Sequence, residues 1–440
     1  MDNLPSYELT PGMPVLSARQ KRMLNAFELG YYVGLADEMY RMAEEDLRAE
    51  IFSVKHSMTL MLEDRDGPVY LFQLLITIHE RVLVAIIKGT IGHELVSTRG
   101  KEDDLQKCML PINVQAGTYL ITFLKKDSNK YLSISQQVKV TRYLSFHESP
   151  LEDDPTPERQ VQYEDAVKVE ALLCPGYELS HIQDSVKAGK ISKSFTNSDL
   201  FVKRLEHWYS QDMNELLATA FRTQSPSYVG CSNHISVRLD QHNPVTKAPK
   251  ITCVTVFLAC LKGAGIEFDR IEMAVLKVWE QAQFRLGEAL VTMLAGSLVW
   301  EGGLNAVQAG GKPLDIGDVR SMDVCEELFF KTDWTMANLR KCQELHATRM
   351  RQAQEVADFD PTDKLIEFQE LVKSVDSNIL VLDQNLDELS VLIEEKSKLV
   401  EGAIKELDDE MEVLQGQLEG ETLLLEFGEM YLEWAGECNE

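Results

Sequence analysis

Three histidine–glutamate pairs, His79-Glu80, His93-Glu94 and His147-Glu148, are the first residues that could do chemistry. A zinc protease needs a second imidazole four residues on, so that both nitrogens leave one helical face, and none of the pairs has it. The first two lie in strand-like sequence and read as edge or surface residues. Ala309-Gly310-Gly311-Lys312-Pro313 has the glycines and lysine of a phosphate loop. The opening glycine is missing, and Pro313 replaces the hydroxyl residue that would hold magnesium, so a flexible connection is expected. His234, Asp240 and His242 could supply metal ligands from one hairpin, but their spacing is not that of any particular site. No nucleophile elbow, kinase set or dinucleotide fingerprint is present. No cofactor, metal or catalytic residue is therefore assigned from sequence.

Charge narrows the partners. A net charge of -27 opposes broad contact with nucleic acid, which needs a lysine and arginine surface to release counterions. The most basic stretch, Lys187 to Arg204 with Lys190, Lys193 and Lys203, reads as a solvated loop entering a helix. The eight cysteines include no Cys-x-x-Cys spacing, and several sit in apolar surroundings as free buried thiols do. The opening Met1-Asp2-Asn3-Leu4-Pro5 lacks the pattern of a secretory signal, and a cytoplasmic location is expected.

The elements that would position these residues fall into an α+β arrangement. An N-terminal helical segment, 1–56, carries Leu16, Met23, Phe27, Leu35, Met39, Met42 and Leu47 near helical spacing. From 57 to 147 alternation suggests about six short strands, separated by turns at Asp66-Gly67-Pro68 and Asp127-Ser128-Asn129. An antiparallel β-sandwich is expected there. An acidic, proline-rich linker covers 148–160, with Pro150, Pro155 and Pro157. A mixed region, 161–250, contains a helix at Asp199 to Phe221 and strands around Ile235 to Leu239. The remainder, 251–440, is expected to be a helical bundle, with helices at 266–300 and 321–357 before one very long, coiled-coil-like helix at about 361–427.

That last helix has the clearest signal. Leu365, Phe368, Val372, Val375, Ile379, Leu382, Leu386, Leu389 and Ile393 alternate steps of three and four. A helix of 3.6 residues per turn gathers them on one stripe. After Ile393 the core resumes at Val400, Ile404, Leu407, Met411, Leu414 and Leu418, so a four-residue stutter falls near Lys396 and Ser397. Asp360-Pro361-Thr362-Asp363 is a strong start signal. Leu371 and Leu392 at g, with Leu380 and Val381 beyond the seam, widen the stripe. This favours packing against the helices at 266–300 and 321–357 over a two-stranded zipper. Between Glu401 and Glu440 stand thirteen acids and one base, Lys405.

The expected function is that of a non-enzymatic structural or interaction protein, which assembles or docks a protein partner through this helix. Two alternatives come from other classes. The apolar segment Leu286, Leu290, Leu294, Leu298 and Trp300, followed by Gly302-Gly303 as a hinge, could enter a membrane after a conformational change, as in helical pore-formers. An enzyme whose site is assembled from distant residues is the other.

Overall fold

A computed structural model describes residues 14–48, 67–112, 115–145, 156–174, 176–188, 198–210, 221–241, 252–306, 321–357 and 361–437. His147, His242, most of the expected linker and the loop Ala309 to Pro313 lie outside them. The chain divides into two compact units, Met1–Arg349 and Met350–Glu440.

The first unit is mostly helical around a small sheet. Its helices begin with α1 (Ala18–Arg48), α2 (Gly67–Ile76), α3 (Glu80–Lys88) and α4 (Ile91–Thr98). Strand β1 (Gly117–Lys125) follows, then α5 (Ile134–Ser145), α6 (Pro157–Leu173), α7 (Leu179–Lys187) and α8 (Ser198–Ser210). Strand β2 (Ser227–Ser232), α9 (Ile235–Gln241), α10 (Cys253–Gly263), β3 (Phe268–Lys277) and α11 (Gln281–Ala295) lead to α12 (Ser321–Glu326) and α13 (Thr335–Ala357).

The sheet has the order β2-β1-β3, with both pairings antiparallel. Leu120 stands between Val229 on one side and Met273 on the other. As the central strand, β1 is buried along almost its whole length. Gly117 is required at its start, because a Cβ there would lie 2.1 Å from the Leu276 carbonyl oxygen. Helix α11 packs on β1 and β2 and also meets α2 and α3. Phe123 of β1 meets Phe257 of α10 at 5.9 Å between ring centroids.

Among the described residues of 57–147 the expected β-sandwich is not found. Within that span only β1 is a named strand among the described residues, and α2, α3, α4 and α5 take the other places. The reason is visible in the spacing. Leu71, Leu74 and Leu75, then Val82, Leu83, Ile86 and Ile87, are buried at separations of one, three and four, which is a helical face. Gly89, at φ 71°, ends α3 in the left-handed conformation that favours glycine. The same competition explains two further differences. Ile235 to Leu239 is helix α9, not strand, and the helix expected over 266–286 is strand β3 until Lys277. In β3 the residues from Met273 to Lys277 are buried on both faces, so their apolar run carries no alternation to distinguish it from a buried helix.

The second unit contains α14 (Pro361–Glu437), a single unbroken helix of 77 residues. The long C-terminal helix expected from the heptads is therefore present. The 251–440 bundle is corrected at α11, which belongs to the sheet-centred unit.

Candidate functional site

The two units present apolar side chains in opposite ways. On α14 the seam residues Leu365, Phe368, Val372, Val375, Ile379, Leu382, Leu386, Leu389, Ile393, Val400, Ile404, Leu407, Met411 and Leu414 are all exposed, from 40 % at Val372 to 63 % at Met411. The side chain of Leu418 lies outside the described residues. The stutter is absorbed without a break in the helix. Between its frames the seam crosses Lys396 and Ser397, beside Leu392, Ile393, Val400 and Glu401. An exposed apolar stripe of this length is the kind of surface that helices bury against one another.

The segment read as a membrane candidate is placed otherwise. Leu286, Leu290, Leu294 and Leu298 are buried, and Trp300 packs half-buried against the same core. No single described helix is long and apolar enough to cross a membrane; the pair α2 and α3 has the length and composition together, but is bent by 105°.

No protein-family model, curated protein or solved structure matches the chain. Geometry alone therefore has to account for its chemistry.

The sheet-centred unit holds several polar clusters that sequence reasoning missed. The first joins α1, the α2–α3 turn and α13. Tyr31 interrupts α1 with φ 54° and ψ −144°, a conformation costly for a residue with a side chain. Its hydroxyl meets Glu80 Oε2 at 2.9 Å and Asn338 Oδ1 at 3.0 Å. Asn338 Nδ2 donates to the carbonyls of Ile76 and Ile78, and Trp334 Nε1 donates to that of Thr77. Lys341 lies 4.0 Å from the Tyr31 ring centroid and 3.2 Å from Glu80. Against the opposing effect of burial, hydrogen bonds from Tyr31 and Lys341 hold the Glu80 carboxyl below its usual range. The cluster satisfies the buried carbonyls of a sharp turn, which is a structural task.

The second cluster is an ion pair between a buried lysine and a half-buried glutamate. Lys277, the last residue of β3, has no exposed side-chain surface and pairs with Glu327, whose other oxygen accepts from Gln115 Nε2 at 3.1 Å. Burial pushes the lysine's pKa down, against the pull of Glu327. Despite its own burial, Glu327 is held below the usual carboxylate range by Lys277 and Gln115. The one sequence signal was a lone lysine inside Ala274-Val275-Leu276-Lys277-Val278-Trp279.

Two further acids, Glu288 and Glu301, stand beside groups that could react or titrate. Cys231 Sγ donates to Glu288 Oε2 at 3.1 Å. Burial, with Glu288 beside it, pushes the thiol up and keeps it protonated, the reverse of an activated nucleophile. Glu301 lies 3.6 Å from Arg19, which forms a fork with Asp46. Burial pushes Glu301 up to about 7 against the pull of Arg19, and its Oε2 has no hydrogen-bond partner.

The sequence-selected histidines are separate from these clusters or support them. His79 caps α3, its Nδ1 accepting from Arg81 N, and its ring meets Trp334 at 5.6 Å. His93 sits on α4 with its Nδ1 against the Asn129 carbonyl. His93 is helical and His79 stands just before a helix, so neither lies in a strand. His234 precedes α9 and Asp240 lies within its last turn, and among the described residues no group of three or more metal-ligating side chains converges.

Proposed function

We propose that the chain is a non-enzymatic structural or interaction protein, whose helix α14 docks onto another helix along the seam from Leu365 to Leu414. The observation that supports this most is the exposure of that whole heptad stripe on one continuous helix. A side chain such as Leu386, 61 % exposed, gains from burial at about 25 cal/mol per Å² of apolar surface removed from water. Because that gain repeats at each heptad, covering the stripe is the strongest driving force acting on α14. The polar clusters of the first unit brace its turns and need no substrate to account for them.

The test is the accessibility of the seam in its native setting. Leu389→Cys is compared with Lys398→Cys, a position off the seam, for the rate of maleimide labelling in fresh extract and after purification. Slower labelling at 389 supports a covered seam. Equal rates at both positions in both settings would remove the proposal.

A further inference from the structure

Resting on that reading, we infer that the partner covering the seam is a second copy of this chain, its α14 lying parallel and in register. Two observations point there: which residue types occupy the seam, and what charge borders it. In the frame from Leu365 to Ile393, Leu365 is an a position and Phe368 a d position; beyond the stutter, Ser397 and Ile404 are a, and Val400 and Leu407 are d.

Val372, Ile379, Ile393 and Ile404 put β-branched side chains at a, beside Leu365, Leu386, Ser397 and Met411, while Leu382, Leu389, Leu407 and Leu414 put leucine at d, beside Phe368, Val375 and Val400. The bias, β-branched at a and leucine at d, favours two strands in parallel, because the parallel a layer accepts a branched Cβ and the d layer a γ-branched one. Leu371 and Leu392, at g, extend the apolar area along the edge of this seam. With seam side chains 40 to 63 % exposed, two copies would bury on the order of 3,000 Å² together, within the range of permanent assemblies.

Charge decides the direction. The e positions carry Asp376, Asp383, Glu401 and Asp408, and no base. An antiparallel pair sets e beside e. Aligning the full seam in that sense places Leu365 against Leu414, and so brings Asp376 and Asp383 of one helix beside Glu401 and Asp408 of the other. A parallel pair sets each g beside the e five residues on in the partner helix. Lys396 then meets the Glu401 position, Asn378 meets Asp383 and Ala403 meets Asp408, with no like charges in contact. Charges elsewhere on the surface are screened over about 8 Å at physiological salt, so these contacts outweigh the general acidity of the helix.

The experiment has two arms on the full chain. In a Cys438→Ser background, Leu382→Cys is oxidised alone and in mixture with Ser397→Cys, with the unmodified background as control. A parallel pair in register gives the 382–382 disulfide in the first sample. An antiparallel pair gives only the 382–397 disulfide in the second, because the full-seam alignment opposes those positions. In the other arm, sedimentation equilibrium measures the dimer constant. Glu401→Lys is expected to weaken dimerisation roughly three- to tenfold, and adding Lys396→Glu to restore it, since the parallel contact is exchanged rather than lost. An antiparallel dimer would instead be strengthened by Glu401→Lys alone. A 382–397 disulfide, a trimer or tetramer, or a monomer whose seam is still protected from maleimide would each overturn the parallel second copy while leaving the docking helix in place. A monomer with an open seam would overturn both.

Discussion

Phe123 and Phe368 are the same residue under opposite conditions. Phe123, on the central strand, has no exposed surface; Phe368, on α14, is 62 % exposed. The first unit covers its apolar surface from within, layering α11, α10 and α1 to α3 around a small sheet, whereas α14 leaves its apolar stripe uncovered. Stability in the one unit is intramolecular. If α14 docks as proposed, concentration and partner should govern its stability and leave the first unit unchanged.

The largest effect should separate the two phenylalanines. Phe123→Ala is expected to cost the first unit about 3–5 kcal/mol, because it opens a cavity between β1 and α10. Phe368→Ala in dilute protein should change the same transition by less than about 0.5 kcal/mol, since little is buried to lose. Urea unfolding followed by the fluorescence of Trp279 and Trp334 reads both. Equal losses would mean that Phe368 is packed in the dilute chain and would end the contrast.

Next comes the ion pair behind β3. Glu327→Ala leaves the Lys277 ammonium buried without a counter-charge, a change expected to cost about 3 kcal/mol or more. Replacing both partners, as Lys277→Met with Glu327→Leu, should recover most of that loss, because a buried apolar pair needs no solvation. If Glu327→Ala alone were neutral, Lys277 would have a route to water that its burial denies, and the first unit would be looser at this edge than the sheet geometry shows.

A smaller effect depends on pH. The folded value of Glu301, about 7, lies above its ordinary value of 4.5, so between these limits the folded state binds more protons than the unfolded one. The stability this contributes is fully present below about pH 4.5 and is lost as pH rises through 7. Glu301→Gln should remove that slope and leave the protein more stable than the parent at pH 8 by about 1–3 kcal/mol. The comparison to make is of the two unfolding midpoints at pH 5 and pH 8. Parallel pH profiles for parent and variant would show that Glu301 is ionised alike in both states.

What could be read beforehand follows the same division between units. The long helix was legible because its pattern repeats over many turns, and local periodicity decides it without tertiary knowledge. The helices α2 and α3 were misread because their apolar runs are short. Over eight or nine residues, a β-branched run such as Val82 to Ile87 fits a buried strand unless the separations of one, three and four are weighed first. Strand β3 failed in the other direction, since its two-sided burial mimicked a helical stripe. The polar clusters were invisible for a different reason. Tyr31 meets Asn338 and Lys277 meets Glu327 across long stretches of chain, and no spacing rule connects them. Only the lone lysine in an apolar run gave any warning, and it named no partner.

The smallest expected effect is also the most direct comparison, because each unit has a lysine–glutamate pair. Lys398 and Glu394 are one helical turn apart on α14, at 3.0 Å, and are 71 % and 70 % exposed; Lys277 is wholly buried. Water screens the exposed pair, and holding two long side chains together costs entropy, so Lys398→Ala should shift helix stability by no more than about 0.5 kcal/mol. Position 398 lies at b in the frame set by Ser397, off the seam, so association should be unaffected as well. Circular dichroism melts of the two proteins at matched concentration, in low and in physiological salt, measure the difference. A loss approaching that of Glu327→Ala would mean the 394–398 surface is buried in the assembled state, and the covering of α14 would then have to reach around the helix beyond the heptad face.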